Sequence, residues 1–294
     1  MKAVATQLEA AGHGPVEIEA SRTLRSPSAG RVFVKFGTGG ADADISLLEY
    51  ERLGLEHLRH SAPKELKVPK ALLAGETSDR GGFVCVEHLD LGGRLGDDMQ
   101  AAFGKALATM HAEKQELHAG FGFPVDGCCG ALEQPNNSEG RSLNWVEFWD
   151  EFRLGFQLEE AKRRYPEDVE MQELGAQLRK RLPILFSDLV IEDIKPSILH
   201  GDLWSGNVGV TEGKPCIFDP AAYYGHAEAD LGIAYMFGGF SQAFFEAYHA
   251  VLPREPGFEQ RAKLYELHHH LNHMNIFGSS YRGGCVQLMQ QLVS

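Results

Sequence analysis

Three residues in the string HGDLWSGN, His200, Asp202 and Asn207, are of the types and at the spacing that could serve phosphoryl transfer. A fourth, Asp219, closes the apolar run Cys216-Ile217-Phe218 that follows. A carboxylate such as Asp202 can orient an acceptor hydroxyl and take its proton as a phosphoryl group arrives. An amide oxygen and a carboxylate brought together suit Mg²⁺, a hard ion that takes few protein ligands and completes its shell with phosphate oxygens and water. The apolar runs on either side of Gly213-Lys214-Pro215 read as two strands joined by a turn, which would bring Asn207 and Asp219 to one end of a hairpin. Any one of these residues could merely cap a turn. The ordered set H-x-D-x-x-x-x-N, followed by an Asp at a strand end, is what carries the chemistry.

Such a site also needs a cation for the nucleotide phosphates, and the first third of the chain offers one. Lys35 ends the β-branched and aromatic run Val32-Phe33-Val34, where a lysine can reach the α- and β-phosphates of ATP. Glu51, on the next predicted helix, is its natural ion-pair partner. Glu49 is the competitor, two positions away and so on another helix face. The run Phe83-Val84-Cys85-Val86 leads into Glu87-His88-Leu89, where backbone groups at Glu87 and Leu89 could meet adenine.

The elements that must hold these residues divide into two kinds. Up to about residue 90 the pattern is mixed. Residues 16–19 and 32–36 read as strands around a polar turn at 26–30, residues 42–59 as an amphipathic helix, and residues 71–74 and 83–86 as a strand pair. After a linker at 88–94 helical periodicity dominates, at 99–117, 145–156, 169–182 and 258–275. Residues 121–140, rich in Gly, Pro and Asn, read as an ordered surface loop. The outline is a small sheet-plus-helix lobe, residues 1–90, and a larger helical lobe, residues 91–294.

Composition excludes several classes. The chain has 294 residues with 28 Lys+Arg against 41 Asp+Glu, a net charge of −13. That balance opposes nucleic-acid binding and docking on an anionic membrane. Five cysteines in no regular framework, no secretory leader and no long apolar span point to a cytoplasmic protein.

The motifs together resemble the protein-kinase-like fold, in its branch with aminoglycoside and choline kinases. Within that branch the sequence is most similar to the fructosamine-3-kinase (ketosamine-3-kinase) family. The resemblance rests on HGDLWSGNV at 200–208, FDPAAYYGHAEADLGIAYMFGGF at 218–240, FGF at 121–123, CCG at 128–130, PGFEQR at 256–261 and LNHMNIFG at 271–278. It implies a bilobal α+β fold and ATP-dependent phosphorylation of the 3-hydroxyl of ketosamines, borne on proteins or free amines. By the same resemblance Asp202 is the base, Asn207 and Asp219 hold Mg²⁺, and Lys35 with Glu51 positions ATP. Asp230 braces the catalytic loop, with His200 in support, while Trp204 and His273 line the substrate pocket. A monomer or weak homodimer is expected. His273 also belongs to a histidine-rich helix with His268, His269 and His270, a pattern that reads equally as an exposed polar face.

The sequence departs from the family at the loop 19–24, expected to cover ATP, which has neither glycine nor the cysteine relatives carry there. Met274 stands where an aromatic residue is usual. Two rivals stay open at the level of sequence: a kinase of another small hydroxylated amine, and a nucleotide-binding pseudokinase that scaffolds partners.

Overall fold

The computed structural model describes residues 1–37, 45–113 and 116–294. An antiparallel five-stranded sheet of order β1-β2-β3-β5-β4 forms the N-terminal part, from β1 (Glu17–Ala20), β2 (Thr23–Ser26), β3 (Gly30–Phe36), β4 (Ala71–Thr77) and β5 (Gly81–Glu87). Side chains alternate across a strand. In β3 that alternation buries Val32 and Val34 on one face and turns Lys35 to the other. Helix α1 (Lys2–Leu8) lays Val4, Ala5 and Leu8 over Leu24, Val32, Val34, Phe83 and Cys85, a small core of its own.

Helix α2 (Ile45–Ser61) packs against β4 and β5. Its buried Tyr50, Leu55 and Leu58 nevertheless belong to the larger core, together with Phe103, Phe123, Ile198 and Tyr224. The expected start of this helix at residue 42 lies outside the described residues. The larger part is built on α3 (Asp97–Ala112), a bent helix running from α4 (Trp145–Trp149) through a wide turn into α5 (Phe156–Arg164), and α6 (Val169–Leu185). Beyond residues 197–231 come α7 (Gly232–Phe237), α8 (Gln242–Val251), α9 (Phe258–Phe277) and α10 (Arg282–Val293). Trp145, Phe148 and Trp149 are fully buried, as helical spacing predicts for a core stripe. Helices α3 and α8 approach so closely that a Cβ at Gly104 would lie 2.1 Å from the Phe244 carbonyl oxygen.

Four expectations are corrected. The N-terminal sheet has three strands before α2, not two. Thr23 and Leu24, read as part of a loop over ATP, pair with Phe33 and Val32, so only a tight turn at Ser21-Arg22 remains. Helix α1 gives no strong periodicity over its seven residues and was not foreseen. Residues 121–140 are not a surface loop. They hold the hairpin β6 (Gly127–Cys129) and β7 (Leu132–Gln134), with Phe121, Phe123, Asn136 and Asn137 buried. The histidine run is not an exposed face, since His268 and His269 are buried against α4 and the core. Tertiary packing decides in each case, and local composition does not report it.

Candidate active site

The site is assembled from three short pieces around the ends of strands. β8 (Ser197–Leu199), paired with β11 (Tyr223–Gly225), delivers the chain into the His200–Asn207 loop. The hairpin of β9 (Val208–Thr211) and β10 (Lys214–Ile217) then returns it to Asp219. Its turn is Glu212-Gly213, both at positive φ (52° and 72°), as a two-residue type I′ hairpin requires. Lys214 and Pro215, expected in the turn, are in the strand. Asn207 accepts from Phe218 N at 3.1 Å, so the hairpin does bring Asn207 and Asp219 to one end. Asp219 itself has φ 55°, a left-handed backbone that is uncommon outside glycine and swings its carboxylate off the strand direction.

Asn207 ties the loop together. Its Nδ2 donates to the Asp202 carbonyl at 2.9 Å, to Asp202 Oδ2 at 3.0 Å and to the Asp219 carbonyl at 3.3 Å. Commitment of the amide nitrogen leaves Oδ1 as the face of Asn207 able to meet a cation. His200 Nε2 donates to the Phe218 carbonyl at 2.9 Å, and its Nδ1 accepts from Asp202 N at 3.3 Å. Behind the loop, buried Asp230 accepts from His200 N at 2.9 Å and from Gly201 N at 2.8 Å. His111 Nε2 meets Asp230 Oδ2 at 3.2 Å, and the Tyr248 hydroxyl meets His111 Nδ1 at 2.8 Å.

From the sheet, Lys35 Nζ reaches Glu51 Oε2 at 2.8 Å and Asp219 Oδ1 at 3.2 Å, so one ammonium joins α2 to the hairpin end. The competition on α2 is settled by helix geometry. Glu51 lies on the buried face with Leu48 and Leu55, while Glu49 pairs with Arg52 at 2.6 and 2.8 Å. Helix α2 is clamped to the catalytic segment at three successive positions of that face. The Tyr50 hydroxyl donates to the Ala222 carbonyl at 2.8 Å and accepts from Gln134 Nε2 at 2.9 Å. A Cβ at Gly54 would touch that of Ala222 at 3.0 Å, and His57 Nδ1 meets the Tyr224 hydroxyl at 2.9 Å. The Tyr50 ring lies on the backbone of Gly127, where a Cβ would come within 2.3 Å of it.

The charges respond to these surroundings. Burial pushes the Asp202 carboxyl above the usual aspartate range; His200, the Asn207 bond and His273 oppose that rise, and Asp219 adds to it. Burial opposes the charge on Lys35, but Glu51 and Asp219 outweigh it and hold its pKa above the usual lysine value. Burial likewise raises Glu51, with Lys35 pulling the other way. At Asp230 burial is outweighed by the His111 bond and charge, His200 and the backbone N–H bonds, and its pKa is lowered.

Lys35, Glu51, Asp219, Asn207, Asp202, His200 and Asp230 therefore form one connected constellation. Trp204 and His273 border it: Trp204 is 40% exposed, two residues from Asp202, and burial keeps His273 a weak base beside the Asp202 carboxylate. Glu87, at the C-terminal end of β5, and Leu89, just beyond it, stand outside this constellation. The Glu87 side chain is held by Lys67 Nζ and accepts from Lys70 N at 3.1 Å. Its backbone N donates to the Lys70 carbonyl at 2.8 Å, and the Leu89 carbonyl accepts from Leu91 N at 3.0 Å.

Sequence reasoning missed His111 and Tyr248, which no local pattern links to Asp230, and the Tyr50 clamp. It also missed the rings of Phe237, Phe277 and Tyr281 around His273, of which only Phe277, at i+4 on α9, follows a helical spacing. Two family motifs serve structure. Buried Arg261, from PGFEQR, makes a bidentate pair with Glu228, from YYGHAE, both contacts at 2.8 Å.

Comparison with known proteins decides the family. The sequence model of the fructosamine kinase family matches residues 3–294. The chain belongs to the fructosamine kinase family. It is thus a ketosamine kinase that uses ATP as phosphoryl donor. It is 39% identical to the ketosamine-3-kinase of Mus musculus over 285 residues, 90% of this chain and 88% of that one. A provisionally named fructosamine-3-kinase from Thermobifida fusca YX-ER1 superposes with a TM-score of 0.82 at 29% identity, covering 100% and 99% of the two chains. An aminoglycoside phosphotransferase solved with ADP and hygromycin B gives 0.60 at 14% identity over 98% and 97%, which establishes the bilobal kinase-like α+β fold. Among the described residues no helix is long and apolar enough to cross a membrane.

Proposed function

We propose that in this kinase Asp202 is the general base that delivers the 3-hydroxyl of a ketosamine to the γ-phosphate of ATP. The observation that carries the assignment is the Asp202–Asn207 bond. It fixes one carboxylate oxygen, Oδ2, and leaves Oδ1 to receive the acceptor proton. Burial raises the basicity of that carboxylate, which makes it a better proton acceptor than an exposed aspartate. Lys35, held by Glu51, supplies positive charge where the phosphates would lie. The two-residue turn at Ser21-Arg22 contributes no glycine to that contact, so Lys35 carries a greater share of it.

Asn207 Oδ1 and the Asp219 carboxylate are hard oxygen donors at one end of a hairpin, and they fit Mg²⁺. A Mg²⁺ ion held by Asn207 and Asp219 would supply positive charge against that of the phosphates. Asp230 keeps the loop in place from behind, through the N–H groups of His200 and Gly201. The backbone after β5, near Glu87 and Leu89, is our choice for adenine. Trp204 and His273 face the sugar.

The five cysteines are free, and together with the acidic surface they favour a cytoplasmic enzyme acting on glycated proteins or free ketosamines, as a monomer or weak dimer. Neither a kinase of unrelated amines nor a pseudokinase scaffold is favoured, given the full-length family match and the assembled Lys35–Glu51 pair.

The test is transfer from MgATP to fructosyl-lysine by wild type and Asp202→Asn. Loss of the base is expected to lower kcat at least a hundredfold with ATP affinity retained. Equal turnover by the two proteins would sink the assignment.

A further inference from the structure

Every Trp or Phe that the described residues leave largely exposed falls in one cluster. These are Trp204 (40%), Phe237 (43%) and Phe277 (64%). They come from three separate elements: the loop after Asp202, the end of α7 and the end of α9. His273 and Tyr281 complete the set. Trp204 and Phe237 have ring centroids 6.1 Å apart, Phe237 and His273 5.0 Å, His273 and Phe277 5.4 Å, and His273 and Tyr281 5.2 Å. The rings form a continuous ledge. It begins beside the acceptor position at Asp202 and runs outward along α9 to the start of α10.

The ledge is anchored. A Cβ at Gly206 would lie 2.2 Å from the Trp204 indole, so the indole folds back over its own turn. A Cβ at Gly239, at φ 89°, would collide with Ser205 at 2.7 Å, so the chain leaving α7 passes close against the loop after Asp202. His273 Nδ1 donates to the His269 carbonyl at 2.8 Å, which leaves Nε2 as an acceptor. An exposed apolar patch of this kind, fixed in position and continuous with a catalytic loop, marks a binding surface.

Substrate geometry says which part lies there. In a ketosamine the reacting 3-hydroxyl and the amine nitrogen are separated by carbons 3, 2 and 1. With O3 held by Asp202, the nitrogen and everything it carries must extend beyond the sugar. A secondary amine is protonated at neutral pH, and ring faces attract a cation. The apolar substituent on that nitrogen matches the flanking rings.

We infer that Phe237, Phe277 and Tyr281 form the seat for the amine-borne part of the substrate and select ketosamines with an extended aromatic or aliphatic amine, such as the stem of a lysine, over those with a minimal one. The inference rests on the ketosamine kinase reading. Its content is that specificity resides in the amine as well as in the sugar.

The experiment holds the sugar constant and varies the amine, using fructosyl-benzylamine and fructosyl-glycine with wild type, Phe277→Ala and Phe237→Ala. Thermal melts confirm that each variant is folded, and the large exposure of Phe277 makes its truncation mild. The wild type should favour the benzylamine adduct. Each truncation should reduce the ratio of kcat/KM for benzylamine over glycine adduct by about tenfold, mainly through KM. An unchanged ratio in both variants overturns the inference while leaving the kinase reading intact. Absence of phosphorylation of either ketosamine by folded wild type overturns both.

Discussion

At the scale of single residues, the site separates charges that must act from charges that must hold. Asp202 is half-buried and raised in pKa. Asp230 is fully buried and lowered, because it receives two backbone N–H bonds and His111. The same side chain is thus suited to act as the proposed base in one place and as the proposed brace in the other. A base works only when ionised, and a raised pKa means ionisation is completed at a higher pH. The acid limb of kcat/KM should thus lie above the range of an ordinary aspartate, read from rates between pH 4 and 8 with ATP saturating. A limb at or below the ordinary value in wild type would contradict the electrostatics.

At the scale of elements, the distinctive feature is α2. The Lys35–Glu51 pair depends on where this helix sits, and Tyr50, Gly54 and His57 fasten it to residues 220–224 and to the β6–β7 hairpin. Losing the Tyr50 hydroxyl strands the Ala222 carbonyl and takes one acceptor from the Gln134 amide, which keeps the Ala221 carbonyl at 3.1 Å, at a cost of about 1–3 kcal/mol. Tyr50→Phe should raise the KM for ATP severalfold. In a Glu51→Gln background the same change should add almost nothing, because the pair it positions is already lost. Full additivity in that double-mutant cycle would make Tyr50 merely a stabilising residue.

This scale also shows what the sequence could and could not tell. The strand–turn–strand around Asn207 and Asp219 was legible, since apolar runs and a glycine turn are local signals. So was the Lys35–Glu51 ion pair, between a strand and the helix that follows it. The CCG segment was legible as a motif but misread as surface, because its burial comes from Tyr50 of a helix far away in sequence. The fate of the histidine run was hidden for the same reason: His268 is covered by Trp149. Short β2 was lost among polar residues whose pairing with β3 alone defines it as a strand.

At the scale of the whole molecule, packing separates two cores, and α2 lies in the larger while resting on the sheet that bounds the smaller. The sheet and α1 enclose the smaller, while α2 contributes to the larger although it lies N-terminal to the linker. A division near residue 90 is our proposal for the two lobes, with α2 as the element that couples them. The chain's charge of −13 opposes an anionic nucleotide, so the local positive charge of Lys35, with the proposed cation, must overcome the average field. The Tyr50, Gly54 and His57 contacts hold α2, and with it Glu51, against the segment next to Asp219. The central claim is that this assembly phosphorylates oxygen 3 of a ketosamine. The most direct measurement is phosphorus and carbon NMR of the product formed from fructosyl-lysine and MgATP. We expect a phosphate ester coupled to carbon 3, followed by release of free lysine as the adduct breaks down. A phosphate on any other oxygen, or ATP consumed with no sugar ester, would contradict it.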